Sequence, residues 1–295
     1  MKVKFWGVRG SIPSPGPHTV RYGGNTTCIE VRSDEGKLIV LDAGTGIFAL
    51  AQKLLRELPV EANIFITHSH WDHIHGLPFF TPLFIPGNKV RMYGAFDPVS
   101  GNGVEQVMDV QLQYSYFPVR EAEMKAAIEY ETLSIGEAVE LGDAVITASL
   151  LNHPVIDFGY RIDCNGKSVF FTGDHEPYYN IYDPEDADYA GYQALMEEKL
   201  AAVDDAMRGV DVLIVDSSYT IKEYESKKGW GHGHFDASIA MALRVGAKQL
   251  YCTHHEPTRS DDELEAVFAE ALARHRNSLH GLSVQLAREG LEIEL

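Results

Sequence analysis

Four side chains able to bind a metal ion crowd into six residues, His68, His70, Asp72 and His73, directly behind the apolar run 63–67. A short apolar run bounded by turn residues reads as a strand, so the cluster sits on the loop that leaves a strand end. Three imidazoles and a carboxylate on such a turn converge only where the loop wraps a cation. The pattern H-x-H-x-D-H after a strand is therefore read as a metal loop, and the fold has to place that strand end where a cation can be enclosed.

Around this loop the chain alternates short apolar runs and helical periodicities. Strands are expected at 2–6, 27–31, 37–41, 63–67, 90–93, 137–141, 145–150, 160–163, 168–171, 212–215 and 249–252. Helical spacing marks 47–58, 189–207, 236–245 and 261–275, the last opened by a Ser260/Glu263 capping box and the third closed at Gly246. Strands come first and helices alternate with strands later, which predicts an α/β fold of two sheets covered by helices, in one domain over 1–295. Residues 88–130 fit least well and read as an insertion beside the core.

Lys plus Arg number 25 against 43 Asp plus Glu, a formal net charge of −18. Such a surface repels extended nucleic acid, whose binding depends on cationic side chains neutralising phosphates. A small anionic substrate remains compatible, because a buried pair of divalent ions reverses the local field. Three scattered cysteines, Cys28, Cys164 and Cys252, suggest neither a disulfide framework nor a thiolate metal site. With no apolar leader in the opening residues and no long uncharged apolar stretch, a cytoplasmic protein without a membrane segment is expected.

The motif resembles the signature of the metallo-β-lactamase superfamily, and later residues continue it in order: His153 after the run 145–150, Asp174 after 168–171, and His254 after 249–252. The resemblance implies a four-layer αββα sandwich of two mixed sheets. It also implies that His68, His70 and His153 hold a first metal, that Asp72, His73 and His254 hold a second, and that Asp174 bridges them. The neighbouring His255 leaves the register of the last ligand open. Asp42, in Leu41-Asp42-Ala43-Gly44, matches an outer carboxylate that orients a ligating imidazole. Zn²⁺ is the expected ion at both positions, and Mn²⁺ or Fe suits the same nitrogen and oxygen donors.

Two further segments, Val215-Asp216-Ser217-Ser218 and Gly231-His232-Gly233-His234, resemble the ribonuclease Z and cyclic phosphodiesterase branch. That branch implies a hydrolase for a small phosphodiester such as a cyclic nucleotide. A hydroxide held between the metals attacks, Asp72 belongs to the catalytic centre, and His232, oriented by Asp216, is the general acid. The stretches 7–11 and 21–27 resemble the branch too, which makes Arg9, Arg21 and Asn25 candidate substrate contacts. The alternatives are a tRNA 3′-processing endoribonuclease, a lactam or thioester hydrolase, and a non-catalytic nucleotide sensor. The branch also hints at a homodimer, although no interface pattern in the sequence shows one.

Overall fold

The computed structural model describes residues 1–295, apart from the side chain of residue 121. Two seven-stranded sheets form its centre. The first contains β1 (Lys2–Gly7), β2 (Cys28–Arg32), β3 (Leu38–Leu41), β4 (Glu61–Phe65), β5 (Lys89–Ala95) and β6 (Ala127–Leu133), with β14 (Glu292–Glu294) beside β1 at one edge. The second contains β7 (Ala138–Leu141), β8 (Ala144–Leu150), β9 (Phe158–Cys164), β10 (Lys167–Phe171), β11 (Val212–Asp216), β12 (Gln249–Thr253) and β13 (Ser283–Leu286), in that order across the sheet.

The alternation of β1, in which Val3 and Phe5 are buried and Lys2 is exposed, aims one face of the first sheet at the second. Phe5, Ile29, Val31, Leu41 and Phe65 meet Ile146, Tyr160, Val169, Phe171 and Ile214 in one core between the sheets. Strands β10, β11 and β12 run parallel and are apolar on both faces, as strands covered on both sides must be. On the outer face of the first sheet, α1 (Gly46–Leu54) and α3 (Val104–Gln111) bury Leu50, Leu54, Val104 and Met108. On that of the second, α4 (Tyr189–Met207), α6 (Phe235–Val245) and α7 (Asp261–His275) bury Val203, Met207, Ile239 and Leu264. The result is the expected αββα layering, and no helix is long and apolar enough to cross a membrane.

Within the segment 88–130 the strand expected at 90–93 is present, and a second strand that the sequence reading did not expect closes it. Its two ends are sheet strands, β5 and β6, in parallel register with β4 and with each other. Only 96–126, which carries α3, leaves the sheet. The end strand β6 escaped recognition because it lies on an edge: Ile128 and Tyr130 are half-buried between exposed Glu129 and Glu131, a weaker signal than a continuous apolar run.

Candidate metal centre

Parallel strands deliver their C-terminal ends to one side of a sheet, and the candidate ligands follow those ends. The His68 loop leaves β4 and closes in the short helix α2 (Trp71–Ile74), which carries Asp72 and His73. Asp174 follows β10, Asp216 ends β11 and His254 follows β12, while His153 sits on the connection from β8 to β9.

Two groups of side chains converge there, each with its candidate ligand atoms within 4.8 Å of one another: His68, His70, His153 and Asp174, and Asp72, His73, His254 and the same Asp174. Asp174 turns Oδ1 toward the second group, 3.2 Å from both His73 Nε2 and His254 Nε2. It turns Oδ2 toward the first, 3.6 Å from His68 Nε2 and 4.0 Å from His153 Nε2. Asp72 Oδ2 lies 3.3 Å from His73 Nε2 and 3.1 Å from His254 Nε2. Four donors bonded tetrahedrally at ~2.0–2.2 Å stand roughly 3.3–3.6 Å apart, so these separations suit a cation at the centre of each group. The buried atoms His68 Nε2, His73 Nε2 and Asp174 Oδ1 have no hydrogen-bond partner, a costly arrangement that a bound cation resolves.

The opposite ring nitrogens are held by the protein. His73 Nδ1 lies 2.7 Å from Asp42 Oδ2, and His68 Nδ1 is hydrogen-bonded to Thr67 Oγ1 at 3.1 Å, with Asp157 Oδ1 2.9 Å away outside hydrogen-bond alignment. His153 Nδ1 reaches the Gly231 carbonyl at 2.9 Å, and His254 Nδ1 reaches Ser218 Oγ at 2.9 Å. Such contacts fix tautomer and ring plane before an ion arrives. Asp42 also accepts from Thr67 N and Thr67 Oγ1, at 2.8 and 3.0 Å. Asp42, Ser11 and His254 all adopt left-handed backbone, with φ of 61°, 62° and 56°, a conformation unusual for side chains other than glycine and concentrated here around one site.

Burial drives the His68 imidazole well below its ordinary pKa and pushes the Asp157 carboxyl well up. Burial also lowers His153, to about 4. At His73 and His254 burial acts in the same direction, but the carboxylates around them outweigh it. His73 is raised well above its ordinary value, and His254, beside Asp174, Asp216 and Asp72, rises to about 9.

His232 Nδ1 lies 3.0 Å from Asp216 Oδ2 and 3.6 Å from Asp174 Oδ2, and its Nε2 has no partner among the described residues. Burial disfavours its charged form, yet Asp216 and Asp174 outweigh this and raise its pKa. Asp216, Asp174, His232 and His254 also lie close enough to be read as an ion site. Ser218 Oγ, however, bonds both Asp216 Oδ1 and His254 Nδ1, at 2.9 Å each, which makes that corner a hydrogen-bond network.

His254, not His255, faces the cluster: His255 is fully buried, and its Nε2 lies 2.8 Å from the Ala287 carbonyl. The three candidate substrate contacts are placed elsewhere. The Arg9 guanidinium is fully buried and donates to the carbonyls of Gly23, Glu256 and Arg259 and to Asp261. Arg21 pairs with Asp262 and Glu265 on α7, and Asn25 donates to the Glu289 carboxylate through both N and Nδ2. Arg9 and Asn25 hold the N-terminal loop to the C-terminal segments, and half-exposed Arg21 pairs with α7 at the surface.

That loop meets the ligands themselves. Ser11 N donates to Asp72 Oδ2 at 2.7 Å, and a Cβ on Gly10 would come within 2.2 Å of the His254 ring. Gly10→Ala is therefore expected to displace the imidazole and weaken metal binding at the second group by about 10- to 100-fold. Gly16→Ala, placed in open space, is the control. Metal titration by calorimetry compares them, and equal affinities would show that the loop yields without moving His254.

Asp157, Ser218 and Glu176 are buried polar residues that the sequence did not reveal. Asp157, at the entry to β9, carried a faint signal as an acid bordering an apolar strand. Ser218 lay inside the segment 215–218 read as a resemblance but was given no role there, and Glu176 carried no signal.

A family model described as a β-lactamase superfamily domain matches residues 37–255, which include every residue of the two groups. The chain belongs to the metallo-β-lactamase superfamily. Members of this superfamily are metal-dependent hydrolases. Among curated relatives of this superfamily member, "Ribonuclease Z" from Synechococcus sp. (strain CC9311) is 24% identical, over 100% of this chain and 99% of the relative. Among solved structures, the metallo-β-lactamase fold protein YhfI from Bacillus subtilis matches with a TM-score of 0.68 at 18% identity, covering 100% of this chain and 98% of that one. A diphosphatase from the PhnP family matches with a TM-score of 0.64 at 23% identity, covering 100% and 97%. The two structural likenesses are likenesses of fold.

Proposed function

We propose that this superfamily member is a phosphodiesterase for a small phosphodiester such as a cyclic nucleotide. His68, His70, His153 and Asp174 would hold one divalent ion, and Asp72, His73, His254 and Asp174 a second. Zn²⁺ suits these donors best, with Mn²⁺ or Fe as alternatives. Two such ions supply Lewis acidity toward a phosphoryl oxygen and water of lowered pKa.

The observation that carries the reading is His232. Its Nδ1 is committed to Asp216 at 3.0 Å and lies 3.6 Å from the shared carboxylate of Asp174, its pKa is raised, and its Nε2 has no partner among the described residues. An imidazolium so placed donates a proton from Nε2 to a departing alkoxide, and Asp216 keeps the ring turned for the transfer. An ester with a poor leaving group needs that proton, whereas an activated one does not. Trp71 and Trp230, 78% and 61% exposed and adjacent in sequence to His70 and Gly231, offer flat faces to a base.

The net charge of −18 favours a small substrate over a long polyanion. The excursion 96–126 adds two basic side chains, Arg120 and Lys125, against five acidic ones, so it supplies no cationic arm. The full-length likeness to a ribonuclease Z supports tRNA 3′ processing as the second reading.

His232→Ala is expected to lose about 10²- to 10⁴-fold in kcat/KM on a cyclic nucleotide, but little on a bis-nitrophenyl diester. Equal loss on both substrates would remove the general-acid role. Cleavage of a tRNA precursor outpacing that of cyclic nucleotides would favour the second reading.

A further inference from the structure

The connection that carries His153 is gripped from two directions by one residue outside both metal groups. Glu176 is buried, 4% exposed, two residues beyond Asp174. Its backbone is fastened to the neighbour of His153: Glu176 N donates to the Asn152 carbonyl and Asn152 Nδ2 donates to the Glu176 carbonyl, both at 2.9 Å. Its carboxylate reaches the other way. Oε1 accepts from Tyr224 Oη at 2.9 Å and from Gly229 N at 2.7 Å, and Oε2 accepts from Gly231 N at 3.0 Å.

Gly231 is the residue whose carbonyl receives His153 Nδ1 at 2.9 Å. It has a φ of 89°, and a Cβ there would come within 2.4 Å of the same nitrogen, so the backbone lies flat against the imidazole. Two backbone N–H groups and a phenol pointing into one buried carboxylate form a charge-assisted set, stronger than neutral hydrogen bonds. Remove the carboxylate, and both N–H groups of the 229–231 turn lose their acceptor, that of Gly231 in a buried setting and that of Gly229 nearer the surface.

We propose that Glu176 is a positioning residue: it clamps the turn 229–231 across His153 and so sets the affinity of the first metal group. The inference rests on the metal reading above. The clamp selects Nε2 of His153 as the outward nitrogen, because Nδ1 is held at Gly231, and it also fixes the start of the segment that carries His232. Among the described residues Asp72, His73 and His254 make no hydrogen bond to this turn; His254 meets the segment only beyond it, by stacking on His232 with ring centroids 4.8 Å apart.

Stepwise metal titration of the stripped protein, read by calorimetry and by metal content after dialysis, tests this. Glu176→Ala is expected to weaken one of the two binding steps by about 10- to 100-fold and leave the other in place. In a His153→Ala background the same change should add little, because the clamp acts through that ring. A fold-wide effect would instead weaken both steps, or add fully to His153→Ala, and either result would overturn the proposal. Should Glu176→Ala fail to fold, Glu176→Gln serves instead: it keeps the size but faces one of the donors with an amide N–H, and the same single-step weakening is expected. Wild-type protein that binds no metal would count against the metal reading itself. Two intact steps in folded Glu176 variants would sink this inference alone.

Discussion

Asp174→Ala is expected to release both metals together and to lower kcat/KM by about 10³-fold or more, since one oxyanion-stabilising donor alone is worth about 10²–10³. The expectation follows from the two oxygens. Oδ1 faces His73 and His254, and Oδ2 faces His68 and His153, so one substitution opens both groups and removes the one carboxylate they share. His70→Ala, by contrast, touches the first group alone and should leave one ion in place. Asp174→Asn keeps the shape and removes the charge, and should fall between them. Metal content per chain, with circular dichroism to confirm folding, separates the three variants. An Asp174→Ala protein that still holds two ions would show that the carboxylate does not bridge.

Stripping the metals is expected to lower the melting temperature, by more at pH 9 than at pH 6.5. Binding to the folded state alone contributes about 4 kcal/mol when free metal stands at a thousand times its Kd. The pH dependence comes from His254 and His73, both raised by the carboxylates around them, and His254 sets the pH window. In the metal-free protein its pKa is about 9, because Asp174, Asp216 and Asp72 outweigh the effect of burial. A group whose folded-state pKa is raised stabilises fully below its unfolded value of about 6.5, and that contribution is lost as pH rises through the folded value. Once a cation has replaced the proton on His254, this loss does not occur. The gap between loaded and chelated protein should therefore widen from pH 6.5 to 9 in thermal melts. A constant gap would mean that neither imidazole carries the proton in the metal-free protein.

The parts of the site legible in the sequence were those whose chemistry is local. His68, His70, Asp72 and His73 lie on one turn, and His153, Asp174 and His254 each follow an apolar strand, so residue type and strand end together located them. The helix 189–207 was readable for the same reason, with its periodicity running over the whole length of α4. Arg9 shows the opposite case. A glycine-flanked arginine suggested an anion contact, yet the groups that claim it, Gly23, Glu256, Arg259 and Asp261, come mostly from the far end of the chain. Glu176, and the role of Ser218 within its segment, were not legible because their partners are backbone amides, a phenol and side chains brought near by the fold. Edge strand β6 was missed because half-exposed alternation is easily taken for a polar connection.

The pairing of β14 with β1 has a consequence for biogenesis. Strands β1 to β6 emerge from the ribosome first, but the edge partner of β1 arrives after every strand of the other sheet. Until then the nascent chain carries an open strand edge, together with an inner apolar face lined by Phe5, Val31 and Phe65. Chains ending before β14 are thus expected to be more prone to edge-to-edge aggregation than chains that include it.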